Sequence, residues 1–137
     1  IIGVWELLAF EDQDEEGNKI YPFGKDAKGF IVYHPDGYVS AQLMKQGRTP
    51  YESGDLLNGT LEEMAEAANG FLAYVGRFDV IEEEGKLIHY MDVCLNPTLL
   101  GKQLPRLATI EGDILTIHNE FKPHQTFIWR RVKAHQY

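Results

Sequence analysis

Short runs rich in β-branched and aromatic residues, each closed by a turn signal, recur from Gly3 to Val132. This cadence limits the fold more than any other feature. Strands that alternate with helices build parallel sheets, whereas strands that alternate with tight turns build antiparallel ones. The runs cover residues 3–10, 19–23, 29–33, 38–44, 71–81, 86–95, 102–110, 114–118 and 126–132. Between them, His34-Pro35-Asp36-Gly37 is a strong turn, with Pro fixing φ and Gly supplying a left-handed residue. Glu82-Glu83-Glu84-Gly85 and Glu111-Gly112-Asp113 read as further hairpin loops. In the first run Trp5, Leu7 and Ala9 fall on one face.

One interruption breaks the pattern. Residues 45–59 are rich in Gly, Pro, Asn and Ser and read as a long surface loop. Thr60-Leu61-Glu62-Glu63 then forms a capping box, good helix formers follow at 64–68, and Gly70 stops them, so one helix of about ten residues is expected. The expectation is an all-β chain, an antiparallel barrel of eight to ten strands with one short helix, forming a single domain over 1–137. The strands carry little edge-protection chemistry, which favours closure into a barrel over a sandwich. A barrel of roughly eight or more strands has an interior that can hold a small molecule.

Composition excludes several classes of function. With 13 Lys and Arg against 21 Asp and Glu, the net charge is -8. Electrostatic capture of nucleic acid or of an anionic membrane needs the opposite balance. No apolar run approaches the ~20 residues of a membrane-spanning helix. The single cysteine, Cys94, rules out an internal disulfide and reads as a small buried hydrophobe. Absence of disulfides fits a reducing compartment, so a cytoplasmic location is expected, with a processed leader left open by a start, Ile1-Ile2-Gly3, that lacks methionine. The five histidines show no metal-ligand spacing, and 12–18 resembles half a calcium loop but has Phe23 where the bidentate Glu belongs. Phosphate-binding, dinucleotide-binding and nucleophile-elbow motifs are absent. No metal and no cofactor is expected, and oligomeric state is not legible.

Gly3-Val4-Trp5 on the first strand and Ile128-Trp129-Arg130-Arg131-Val132 on the last resemble the paired signature of the lipocalins and the wider calycin group. The remaining blocks, among them Tyr21-Pro22-Phe23-Gly24, Ser40-Ala41-Gln42-Leu43-Met44, Tyr74-Val75-Gly76-Arg77-Phe78 and Leu95-Asn96-Pro97, are similar to those of short lipocalin-like domains from bacteria and fungi. The resemblance covers nearly the whole chain. It implies that Trp5 plugs one end of the barrel, with Gly3 and an arginine of the last strand beside it. By alternation that arginine is Arg131, and Arg130 faces solvent. Related barrels include both carriers and enzymes of secondary metabolism, so the fold alone does not choose between them.

Polar residues on inward faces carry the functional expectation, because burying them is costly unless they are paired or used. Tyr74 lies on the apolar face of 71–81 with Leu72, Gly76, Phe78 and Val80. His89 lies on the apolar face of 86–95 with Leu87, Met91, Val93 and Leu95. Gln42 shares a face with Tyr38, Ser40 and Met44 that points inward or outward equally well. Tyr33 and Arg106 sit in mixed surroundings, and Trp129 either lines the cavity floor or extends the Trp5 cluster. The expected ligand site is Tyr33, Gln42, Tyr74, His89, Met91, Arg106 and Trp129, with Asn96 either joining it or capping its own loop. A small apolar or aromatic ligand is the expected partner. An alternative is a cofactor-free isomerase, cyclase or dehydratase, with His89 titrating near neutral pH and Tyr74 as its partner in proton transfer. The 45–70 segment is expected near the barrel mouth or over one end.

Overall fold

The computed structural model describes all residues from Ile1 to Tyr137. Ten strands form: β1 (Gly3–Gln13), β2 (Lys19–Ile20), β3 (Lys28–His34), β4 (Tyr38–Met44), β5 (Phe71–Ile81), β6 (Lys86–Tyr90), β7 (Val93–Cys94), β8 (Gln103–Glu111), β9 (Ile114–Asn119) and β10 (Thr126–Arg131). One helix, α1 (Leu61–Asn69), and a 3-10 turn at Glu82–Glu84 complete the chain. Eight strands pair in the order β10-β9-β8-β6-β5-β4-β3-β1, and β1 returns to β10, closing an antiparallel barrel. Closure leaves no long edge to protect, which explains why the strands lack edge chemistry. Strands β2 and β7 are short additions on β1 and β5. Of the strand expected over 19–23, only Lys19–Ile20 is strand.

Strand alternation sets the two faces of the wall. On β4, Val39, Ala41 and Leu43 are buried, while Ser40, Gln42 and Met44 lie on the opposite face. On β3, Ile31 and Tyr33 point inward. Two bulges shift this period by one residue, and each flips the faces beyond it. The first lies at Leu8: Leu7 pairs with Trp129 but Ala9 with Ile128. Phe10 therefore turns into the core, at 7% exposure, where simple alternation would have put Ala9.

The second bulge divides the strand expected over 86–95. His89 pairs with Phe78, whereas Val93 pairs with Val75, so Tyr90, Met91 and Asp92 span the width of only two β5 residues. Val93 and Leu95 consequently face outward, at 67% and 48% exposure, instead of continuing the inward face of Leu87, His89 and Met91. Gly76 makes this crossing feasible, because a Cβ there would collide with the Tyr90 carbonyl.

One end of the barrel is closed by the residues nearest the start of β1. Trp5 is fully buried, and its Nε1 donates to the Ile1 carbonyl at 2.8 Å. The Arg131 guanidinium lies 4.1 Å from the Trp5 ring and donates to the Ile2 carbonyl at 2.8 Å. Gly3 adopts φ +134, and a Cβ there would sit 2.9 Å from Arg131 Nη1. Backbone strain thus demands glycine at this position, and an added Cβ would also press on the Arg131 guanidinium. Arg130 is exposed.

At the opposite end the connections 14–27, 45–70, 95–102 and 120–125 leave the wall. The capping box of α1 is formed in both directions, Glu63 N to Thr60 Oγ1 at 3.1 Å and Thr60 N to Glu63 Oε1 at 2.8 Å. The helix is tied to its own loop, by Arg48 to the Ala67 carbonyl and by Thr49 N to Glu66, and it buries no residue. No helix of the chain is long and apolar enough to cross a membrane.

Candidate functional site: the barrel cavity

Inside the wall is a cavity of about 430 Å³, within the range of small-molecule sites. Phe10, Ile31, Ala41, Leu43, Leu72, Leu104, Ile117 and Phe127 make most of its apolar lining, with Phe23 and Leu99 contributed by loops at the open end. Phe10 and Phe127 stack at 4.4 Å, and Phe127 lies nearly parallel to Trp129 at 6.4 Å. Asp12, Asn119, Lys122 and Gln125 form a polar stretch of the lining. There Asn119 Nδ2 donates to Gln125 Oε1 at 3.0 Å, while Asn119 Oδ1 accepts from the Phe121 backbone.

Of the residues expected to contact a ligand, Tyr74, His89, Arg106 and Trp129 line the cavity. Tyr33 and Met91 are fully buried in the wall packing without lining it. Gln42 is not in the cavity: it sits on the outer face of β4 and donates to Ser40 Oγ at 2.8 Å, two residues away on that same face. Asn96 caps its own loop by accepting from Thr98 N at 3.0 Å and does not reach the cavity. The 45–70 segment leaves from the open end but supplies no lining residue. Phe10, Leu43, Ile117 and Phe127 belong to the lining although sequence reading did not single them out. The inward alternation of Leu115 with Ile117 and of Phe127 with Trp129 was the available signal for the last strands.

The buried polar groups form a connected set. His89 is 1% exposed and uses both ring nitrogens: Nε2 meets the Tyr33 hydroxyl at 2.8 Å and Nδ1 meets the Tyr74 hydroxyl at 2.9 Å. Burial, reinforced by the Arg106 charge, pushes the imidazole down to about 3. It is therefore neutral at physiological pH, and the expectation that His89 titrates near neutrality does not hold. Burial likewise pushes the Tyr74 hydroxyl up to about 12 and Tyr33 well above its ordinary value.

Arg106 differs from the ion-pairing cations of the chain. It is 9% exposed, and its neighbours across the sheet are Leu87 and Asn119. The ion pairs of the chain involve Lys19, His34, Arg77 and Lys86, and its arginine hydrogen bonds come from Arg48, Arg77 and Arg131. Arg106 shares in neither. Trp129 is 1% exposed, and its Nε1 is the one buried side-chain polar atom without a hydrogen-bond partner. The arrangement is an apolar chamber with a few convergent polar groups, which suits holding and orienting a small molecule. No group of three or more His, Cys, Asp or Glu is arranged to hold a metal ion.

The family model for a lipocalin-like domain matches residues 2–133. The chain is also 37% identical over 107 residues to the 4'-hydroxy-3'-methoxypropiophenone carrier protein ppsC of Aspergillus oryzae, a match that spans 69% of this chain and 96% of the relative. Closed eight-stranded barrel, tryptophan-sealed end and family match agree: the chain belongs to the lipocalin-like domain family.

Proposed function

We propose that this protein is a carrier that holds a small aromatic molecule inside its barrel. The observation that carries the reading is the cavity of about 430 Å³, lined by stacked Phe10 and Phe127 and by aliphatic side chains, with polar atoms confined to a few positions. Enclosing an apolar ring there removes both ring and wall from water, at about 25 cal/mol per Å² of apolar surface. The name of the Aspergillus oryzae relative adds support for an aryl ketone as the kind of cargo.

Catalysis of isomerisation, cyclisation or dehydration by His89 and Tyr74 draws less support. An imidazole held at about 3 and a phenol at about 12 exchange protons poorly near neutral pH.

The test is a titration with N-phenyl-1-naphthylamine, a neutral apolar dye that brightens on leaving water, followed by competition with propiophenone. The expected result is saturable brightening that propiophenone reverses. Leu72→Trp, which narrows the cavity, should weaken the dye by about tenfold or more while the fold persists by circular dichroism. A folded protein that neither brightens the dye nor binds propiophenone contradicts the reading.

A further inference from the structure

The polar atoms facing the cavity are not a balanced set, and proton counting shows why. A neutral imidazole has one N–H and one lone pair, so it donates to one tyrosine and accepts from the other. Tyr33 is 1% exposed, and His89 Nε2 is the one hydrogen-bond partner of its hydroxyl. If Nε2 carried the proton, the Tyr33 hydrogen would be buried with nothing to accept it, a penalty of roughly 1–3 kcal/mol. The satisfied arrangement has Tyr33 donating to Nε2 and Nδ1–H donating to the Tyr74 oxygen. The Tyr74 proton is then left over. No group of the protein accepts it, and Tyr74 lines the cavity.

The Arg106 guanidinium is a second group that can only donate, and it forms neither an ion pair nor a hydrogen bond with the rest of the protein. The other charged residues in the lining are Asp12, which is half-buried and accepts from Gln13 N, and Lys122, which is exposed. They are opposite in sign and neither offers Arg106 a buried counter-charge. A permanently charged, buried guanidinium is stabilised far more by an anionic oxygen than by a neutral carbonyl.

We propose that the cavity selects an aromatic ligand bearing an ionised oxygen, a phenolate or carboxylate, which receives hydrogen bonds from Arg106 and Tyr74. This rests on the carrier reading and sharpens it, since the cargo is bound as its anion. Tyr33 and His89 are positioning residues that never touch the ligand's oxygen; they fix the direction in which Tyr74 donates.

The experiment uses 4-nitrophenol, whose phenolate is coloured and whose phenol is not. An apolar cavity by itself raises the ionisation midpoint of a bound phenol, whereas this donor set lowers it. The expected midpoint of the bound probe lies about one unit or more below that of the free probe, equivalent to at least about tenfold preference for the anion. Arg106→Leu should return the midpoint to the free value or above it, and Tyr74→Phe should raise it by a smaller step. Gln42→Ala, on the outer face, should leave it lowered. The sign of the shift in the unaltered protein decides the matter even if a variant fails to fold. A bound midpoint at or above the free value overturns the proposal, as does failure to bind 4-nitrophenol in a protein that binds N-phenyl-1-naphthylamine. Failure to bind either probe overturns the carrier reading beneath it.

Discussion

The closed end of the barrel and its cavity each hold one tryptophan and one arginine, and the two sets differ in how their donors are used. At the closed end, the Trp5 indole donates to Ile1, and Arg131 both covers the Trp5 ring and donates to Ile2. In the cavity, Trp129 is 1% exposed and Arg106 9% exposed, yet neither donates a hydrogen bond to the protein. The same residue types thus serve stability where their hydrogen bonds are internal, and recognition where those bonds are left for a guest. Burial alone does not separate the two roles; partner accounting does.

The difference should be largest in stability. Trp5→Ala removes a fully buried ring from the seal and should destabilise by about 3–5 kcal/mol in urea denaturation. Trp129→Phe keeps the aromatic packing and deletes a donor that has no partner, so its expected change is about 1 kcal/mol or less. Equal losses from the two substitutions would erase the contrast.

A second expectation concerns pH and is smaller. The folded protein holds His89 neutral down to about 3, while the unfolded chain protonates it near the ordinary value of 6.5. Between these values the unfolded state binds the extra proton, so stability is complete above 6.5 and declines as pH falls toward 3. From pH 6.5 to 4.5 the expected loss is about 2 kcal/mol, measured by urea denaturation at a series of pH values. His89→Phe should flatten that slope. A wild-type profile that is flat across this window would show that His89 is not held neutral.

The smallest effect belongs to Gln42→Ala. Its amide bonds only to Ser40 on the outer face, so stability should change by about 0.5 kcal/mol or less and affinity for N-phenyl-1-naphthylamine should not change. A marked loss of dye binding would mean that β4 turns its other face to the cavity.

The barrel was legible because its signals are local. Turn residues, alternation and the capping box each act within a few positions, and the Trp5–Arg131 seal followed from alternation together with the family resemblance. Two one-residue insertions were not legible. The bulges at Leu8 and at Tyr90–Asp92 put Phe10 inside and Val93 outside, and a period-two pattern has no mark for an extra residue. Gly76, alone inside a strand, was the available hint of the second. Gln42 was ambiguous because its face carries Ser40 and Met44 as well as Tyr38. The state of His89 was hidden for another reason: Tyr33 lies 56 residues away in sequence, and Arg106 arrives from a different strand. Only closure brings those groups together and removes water from them.

The central claim is that the cavity's donors await a ligand while those of the seal are already engaged. The two tryptophans allow both halves to be read at once, as two indole N–H peaks in a nitrogen–proton NMR spectrum, each assigned by its Phe substitution. On adding 4-nitrophenol, the Trp129 peak should move as the ligand fills the cavity that Trp129 lines, and the Trp5 peak should stay in place. Saturable binding that leaves the Trp129 peak unmoved, or that shifts the Trp5 peak instead, would contradict the account.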